Sequence, residues 1–84
     1  MPEVVYKTKG VCSSRIHLQV EKGVVVHVSF EDGCDGNLKG ICSLVEGMPV
    51  KDVIQRLRGI RCGDKKTSCP DQLAKALESL QDEL

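Results

Sequence analysis

The sequence predicts an α+β domain in which a three-stranded antiparallel sheet is followed by three helices packed on it. Two observations support this fold class. Apolar and polar residues alternate in the first part of the chain, as in half-buried strands, and apolar residues recur at helical spacing after residue 33. Glycine or proline separates most of these segments. With 84 residues, the chain is expected to form a single domain, residues 1–84.

Three strands are predicted. Residues 15–20 alternate between an apolar and a polar face, and residues 21–23 predict a tight turn. Residues 24–30 are a β-branched run that should pair antiparallel with the preceding strand. Residues 4–9 are predicted to form an edge strand, because lysines protect an open sheet edge. The apolar positions expected to face the core are Ile16, Leu18, Val20, Val24, Val26, Val28 and Phe30.

The change to helical spacing after residue 33 predicts two helices in succession. Gly47 stands where the first helix would need a C-terminal cap, and Pro49 suits the first turn of the second helix, which should end at Gly59. The apolar stripes are Leu38, Ile41, Leu44 and Val45 in the first helix, and Val50, Val53, Ile54 and Leu57 in the second.

The third helix is predicted to start at Ser68-Cys69-Pro70-Asp71, after a loop over residues 61–67. Ser68 can cap this helix, Pro70 suits its first turn, and Asp71 can close a capping box. The buried face of this helix is expected to contain Leu73, Ala74, Leu77 and Leu80.

Composition argues against several classes of partner. Twelve basic residues balance twelve acidic ones, and Tyr6 and Phe30 are the only aromatic residues, so neither nucleic acid nor an anionic membrane is expected to bind. The first ten residues lack the apolar centre of a signal peptide, and no stretch has the roughly 18 apolar residues of a membrane span. We therefore expect a cytoplasmic protein. No pattern typical of a catalytic triad or a phosphate-binding loop occurs, so catalysis by the chain alone is not expected.

The five cysteines of a cytosolic chain are not expected to form structural disulfides, because the cytosol keeps thiols reduced. Four lie at predicted chain breaks: Cys12 between the first two strands, Cys34 before the first helix, Cys62 after the second, and Cys69 at the start of the third. A helix N-terminus favours the thiolate that metal ligation requires. The leading hypothesis is one tetrahedral zinc site with these four ligands. A redox pair and simple packing of small apolar side chains stay open as alternatives.

The remaining candidate residues have simpler explanations. Cys42 neighbours Ile41 within a helix, so it is expected to pack as an apolar residue. Asp35 could ligate a metal or accept a hydrogen bond from a ligand, but an acidic residue in a first helical turn needs no such role. The other side chains, each expected to have an ordinary structural or surface role, are His17, His27, Arg56, Arg58, Arg61 and Asp71.

Residues 67–71 spell Thr-Ser-Cys-Pro-Asp, and the chain resembles the small stand-alone TSCPD-domain proteins. The segments that carry the resemblance also include residues 33–38, 44–47 and 71–74. In larger proteins this domain lies at the C-terminus of adenosylcobalamin-dependent ribonucleotide reductases. The resemblance therefore implies a link to ribonucleotide reduction and suggests a ribonucleotide reductase as a protein partner. A chain of 84 residues has no room for the reductase barrel, so the reductase activity is not implied.

The chain also resembles the iron-sulfur cluster scaffolds of the NifU and IscU type. Cys12, Cys34 and Cys69 match three scaffold cysteines in order and setting. The resemblance implies that these three cysteines lie close together and that the fold is NifU/IscU-like. Two features differ: Ser14 replaces an aspartate linked with cluster lability, and residues 63–68 replace a proline-containing chaperone-recognition segment. Cys62 would add a fourth thiolate, and a closed site holds its metal rather than passing it on.

Three functions follow from these resemblances. The first is a zinc-binding accessory module for a ribonucleotide reductase or another partner protein. The second is an iron-sulfur cluster scaffold or carrier. The third is a dithiol redox accessory in which Cys62 and Cys69 alternate between thiol and disulfide.

Overall fold

A computed structural model describes residues 4–8, 14–32 and 35–83 of the chain. Over these residues, a sheet of three antiparallel strands in the order β1-β2-β3 is followed by three helices, which confirms the predicted α+β class. The likeness to the NifU and IscU fold stays a prediction. The elements are β1 (Val4–Lys7), β2 (Arg15–Glu21), β3 (Val24–Glu31), α1 (Asp35–Val45), α2 (Val50–Leu57) and α3 (Cys69–Glu83).

A β-bulge changes which residues of β3 face the core. Val28 pairs with Leu18, but Val25 pairs with Val20, which leaves Val26 as the extra residue of the longer strand. Such an insertion reverses the alternation beyond it, because side chains switch faces at every residue. Val25 is therefore fully buried and Val26 is 42% exposed, so the prediction that Val26 faces the core was wrong.

One face of the sheet packs against the helices and forms an aliphatic core. Ile16 and Leu18 in β2 are fully buried, as are Leu73 and Leu77 in α3 and Val53 in α2. The other buried members of this cluster are Val20, Val25, Val28, Val45, Val50, Ala76 and Leu80. Within the described part of the chain, no helix combines the length and the apolar character that a membrane crossing requires.

The connection between α1 and α2 is hydrogen-bonded to the start of β3. Gly47 adopts the left-handed conformation, with φ +90°, as the predicted C-terminal cap requires. Its N–H donates to the carbonyl of Val25 at 2.7 Å, and the N–H of Val25 donates to the carbonyl of Met48 at 2.9 Å. Helix α2 then begins at Val50 with Pro49 as its N-cap, one residue before the predicted first-turn position. The bonded connection fixes where α1 ends relative to the sheet.

Helix α1 does not bury the whole stripe that its sequence predicts. Leu38 and Val45 are buried, at 6% and 4% exposure, whereas Leu44 is 77% exposed. Consecutive helical residues lie about 100° apart around the axis, so a face that buries Val45 turns Leu44 away. Leu44 therefore lies outside the core, although it belongs to the apolar stripe of α1.

Candidate functional site

The TSCPD segment joins the loop after α2 to the first turn of α3. Ser68 is buried, and its hydroxyl oxygen accepts the N–H of Asp71 at 3.2 Å, which confirms the predicted helix cap. The same hydroxyl donates to the carbonyl of Ile60 at 2.6 Å. Ser68 therefore caps the helix and also holds the preceding loop through a hydrogen bond.

Asp71 performs a different task from the predicted capping box. It is only 3% exposed, and its Oδ1 accepts the N–H of Gly59 at 2.7 Å. Its Oδ2 accepts the hydroxyl of Thr67 and lies 3.4 Å from Nζ of Lys75. The carboxylate thus bonds to the loop and to the next turn of α3, and the capping-box prediction was wrong.

The charged form of Asp71 is favoured despite its burial. Desolvation by burial raises the pKa of this carboxyl, but the hydrogen bonds from Thr67 and Gly59 and the charge of Lys75 outweigh it. The pKa is consequently lowered from its ordinary value of 3.8. Asp71 is therefore a fixed negative anchor at neutral pH.

Backbone and side-chain bonds close the loop on itself. The N–H of Cys62 donates to the carbonyl of Thr67 at 3.2 Å, and the N–H of Lys65 donates to the carbonyl of Cys62 at 3.0 Å. Nε2 of Gln72 donates to Oγ1 of Thr67 at 3.0 Å. These contacts hold the backbone of Cys62 close to the segment that leads into Cys69.

Cys62 and Cys69 line one groove between the loop, the start of α3 and the first turns of α1. Cys62 is exposed, and Cys69 is half-buried as the first residue of α3. The groove has a volume of about 450 Å³ and is mainly apolar. This cysteine groove is lined by Asn37, Leu38, Ile41, Ile60, Arg61, Cys62, Ser68, Cys69 and Pro70.

The other two predicted ligands, Cys12 and Cys34, lie outside the described residues. The described residue that follows Cys12 is hydrogen-bonded to the described residues that precede Cys34. The N–H of Ser14 donates to the carbonyl of Glu31 at 2.9 Å, and its hydroxyl donates to Oδ2 of Asp32 at 2.8 Å. The turn that contains Cys12 and the junction that contains Cys34 therefore meet at their described ends.

The four-cysteine zinc prediction remains a prediction. Among residues 4–8, 14–32 and 35–83, no group of three or more histidine, cysteine, aspartate or glutamate side chains is arranged to hold a metal. Two of the four predicted thiols lie within that part of the chain, and they share a groove. Thiolates are suitable zinc ligands, and Cys69 stands at a helix N-terminus that favours a thiolate. The donors that are described fit a zinc ion in their chemistry.

Cys42 packs against the core, as predicted, and faces a different groove beside β3. Burial and the nearby charge of Glu46 raise the pKa of its thiol to about 11. A thiol that resists deprotonation is a poor metal ligand. Cys42 is therefore the natural control residue for experiments on the other cysteines.

The two histidines each contact a carboxylate at the surface of the sheet. Nε2 of His17 lies 2.7 Å from Oε2 of Glu31, and Nδ1 of His27 lies 3.2 Å from Oε2 of Glu46. Each histidine thus has a carboxylate partner on a neighbouring element. These contacts account for both residues without a ligand role.

A second apolar groove lies between α1 and α2, with a volume of about 260 Å³. The apolar stripe of α1 does not predict this groove, because helical spacing does not show that Leu44 stays exposed. The polar side chain at its wall is Arg56, which lies on the exposed side of α2. This α1–α2 groove is lined by Ile41, Leu44, Val45, Met48, Val53, Arg56 and Leu57.

Comparison with known proteins places this arrangement in a family. Neither a curated protein nor a solved structure matches the chain at a significant level. A family model described as the TSCPD domain matches residues 3–81, which is nearly the whole chain. The match covers the sheet, the cysteine groove and the Thr67–Asp71 signature that fastens the loop to α3. The chain therefore belongs to the TSCPD domain family.

Proposed function

We propose that this domain binds zinc through Cys12, Cys34, Cys62 and Cys69 and serves as an accessory module for a protein partner, a ribonucleotide reductase. The observation that carries the proposal is the cysteine groove. Cys62 and Cys69 line it together with the first turns of α1, and Cys34 directly precedes α1 in the sequence.

Chain connectivity supports proximity of the other two ligands to each other. Consecutive Cα atoms are about 3.8 Å apart, so a residue one or two positions along the chain stays within about 7 Å. Cys34 is two residues after Asp32, and Cys12 is two residues before Ser14, which donates a hydrogen bond to Asp32. Both cysteines are thus tethered close to one junction.

Zinc suits the expected role of these thiols. Four thiolates form a closed tetrahedral site that holds its metal. Zinc in such a site would cross-link chain segments rather than act as a reactive centre. The ligands come from the β1–β2 turn, the β3–α1 junction, the loop after α2 and the start of α3. A small aliphatic core gains most from such a tie. A domain held in shape this way presents a defined surface to a partner.

Elemental analysis of protein purified under reducing conditions tests the metal. We expect about one equivalent of zinc per chain, and less than about half an equivalent of any metal would contradict the proposal. Serine replacements at Cys12, Cys34, Cys62 and Cys69 should each lower the zinc content, whereas Cys42→Ser should leave it unchanged. A coloured, oxygen-sensitive cluster after anaerobic reconstitution would instead support the iron-sulfur scaffold.

Calorimetry tests the partner. The zinc-loaded domain should bind an adenosylcobalamin-dependent ribonucleotide reductase from which the reductase's own C-terminal TSCPD domain has been removed. The same titration with the intact reductase is the control, because its own domain should compete for the site. Absence of binding to the truncated enzyme would contradict the proposed partner and leave the zinc proposal standing.

The shared groove also favours a second function, that of a dithiol redox accessory. In that function the Cys62 and Cys69 thiols transfer two electrons to an oxidised disulfide of the reductase, which becomes two thiols, while Cys62 and Cys69 form the new disulfide. Cys62→Ser should then abolish reduction of the reductase without changing the fold or the metal content. Loss of zinc together with the fold would favour the structural site.

A further inference from the structure

We propose that the α1–α2 groove docks an acidic amphipathic helix of a partner protein. This proposal names the chemistry of the partner that the accessory function requires, and it depends on that function only in needing a partner. It does not depend on zinc.

The groove is an apolar surface that the domain itself leaves open. Leu44 is 77% exposed although it lies beside a wall of aliphatic side chains that includes Ile41 and Leu57. A single exposed leucine is unremarkable, but one that continues an apolar groove marks an interaction surface. The feature that needs a partner is thus the groove together with Leu44.

The shape of the surface suits a helix. Ile41, Leu44 and Val45 lie on successive turns of α1, and the cysteine groove begins at Ile41 and follows the preceding turn. The two grooves share Ile41, but the cysteine groove is the proposed zinc site, so the docking surface is the α1–α2 groove alone. A helix docks in an apolar groove of this kind by placing residues at i, i+3, i+4 and i+7 into it.

The charges beside the α1–α2 groove favour an acidic occupant. Arg56 lines the α1–α2 groove and Arg61 lines the cysteine groove, and no described side chain that lines either groove is acidic. Neither arginine forms a salt bridge with the described residues. The chain as a whole has no net charge, so the excess of positive charge here is local. Carboxylates flanking the apolar face of a docked helix would pair with these two guanidinium groups.

Selection from a peptide library tests the proposal. The probe is a phage-displayed library of helical peptides of about 15 residues. Apolar residues are fixed at i, i+3, i+4 and i+7, and any amino acid is allowed at the other positions. Selection on the domain as purified should enrich Asp and Glu beside the apolar face. NMR titration with a selected peptide should shift the resonances of Ile41, Leu44 and Leu57. No enrichment, or enrichment without acidic residues, would overturn the proposal.

Matched variants decide whether the selected peptides occupy the groove. Leu44→Glu should weaken binding at least about tenfold, because it places a carboxylate in the apolar contact. Arg56→Glu should weaken binding about two- to fivefold and shift preference toward a lysine-bearing version of the same peptide. Arg58→Glu is the control, since Arg58 already pairs with Glu78 at 3.2 Å and lines neither groove. Equal binding by the Leu44→Glu variant and wild type would overturn the proposal.

Two other occupants give distinct results. Concentration-dependent dimerisation that Leu44→Glu abolishes would assign the groove to a second copy of this chain and overturn the proposal. Binding to phosphatidylserine vesicles that the same variant abolishes would assign it to a membrane and overturn it too. Zinc content is measured separately on Leu44→Glu and should match wild type, so failure of peptide binding is distinguishable from failure of the metal site.

Discussion

Helices α1 and α3 differ in how far they bury their side chains. Helix α3 buries its leucines and also buries Ser68, Asp71 and Gln72 at its start, each with hydrogen-bond partners. Helix α1 buries one face on the sheet and leaves Leu44 open to solvent. The difference shows that polar residues of the TSCPD signature build the scaffold, whereas apolar residues of α1 form the accessible surface.

The sharpest test of this contrast compares two leucines. Leu77→Ala should lower the free energy of unfolding by about 3 kcal/mol, because it opens a cavity at a fully buried position. Leu44→Ala should change it by less than about 0.5 kcal/mol, because the side chain is largely in water. Urea denaturation of both variants measures the difference. Equal losses would mean that α1 and α3 do not differ in this way.

The second test removes the buried carboxylate of the signature. Asp71→Ala should cost about 2 to 3 kcal/mol, since the N–H of Gly59 and the hydroxyl of Thr67 lose their acceptor. Asp71→Asn should cost less, because its amide oxygen can still accept from Gly59. Denaturation of the matched variant Asp64→Ala, at an exposed loop position, should show almost no change. A similar cost for Asp64→Ala would break the link between burial and effect.

Most of the fold could be predicted because periodicity follows from geometry. Alternation identified β2, and helical spacing identified α1, α2 and α3. The pattern failed where geometry departs from the ideal period. The bulge moved Val26 off the core face, and nothing in a run of consecutive valines marks which one is the extra residue. The exposure of Leu44 could not be predicted, because a helical pattern does not state how wide the buried face is.

The candidate site was predictable in part. Ser68 was identified as a cap from residue type and position, and that role depends only on local backbone geometry. Asp71 was expected to bond within its own helix turn, yet it bonds the N–H of Gly59, twelve residues away. The partner of a carboxylate is set by which loop folds over it, and sequence spacing does not contain that information. The same limit hid the α1–α2 groove.

A third, smaller effect is expected at the helix cap. Ser68→Ala should lower stability by about 1 to 2 kcal/mol, because the N–H of Asp71 and the carbonyl of Ile60 both lose a partner. Ser79→Ala, at an exposed position in the same helix, should be neutral or slightly stabilising, since alanine favours helix. Hydrogen exchange at the amide of Asp71 should increase in the first variant only. Unchanged exchange there would contradict the cap.

The smallest effect concerns pH. A carboxyl whose folded pKa is lowered stabilises the fold above its unfolded pKa, and that contribution is lost as pH falls through the folded pKa. For Asp71 the loss should therefore begin only below its ordinary value of 3.8. The stability difference between wild type and Asp71→Asn, measured by urea denaturation, should stay constant down to about pH 5 and shrink below 3.8. Subtracting the variant removes the titration of the other carboxylates. If burial outweighed the bonds from Gly59 and Thr67, the folded pKa would lie above 3.8, and the stability of wild type relative to Asp71→Asn would rise rather than fall as the pH is lowered. That result would overturn the view that Asp71 is a fixed negative charge.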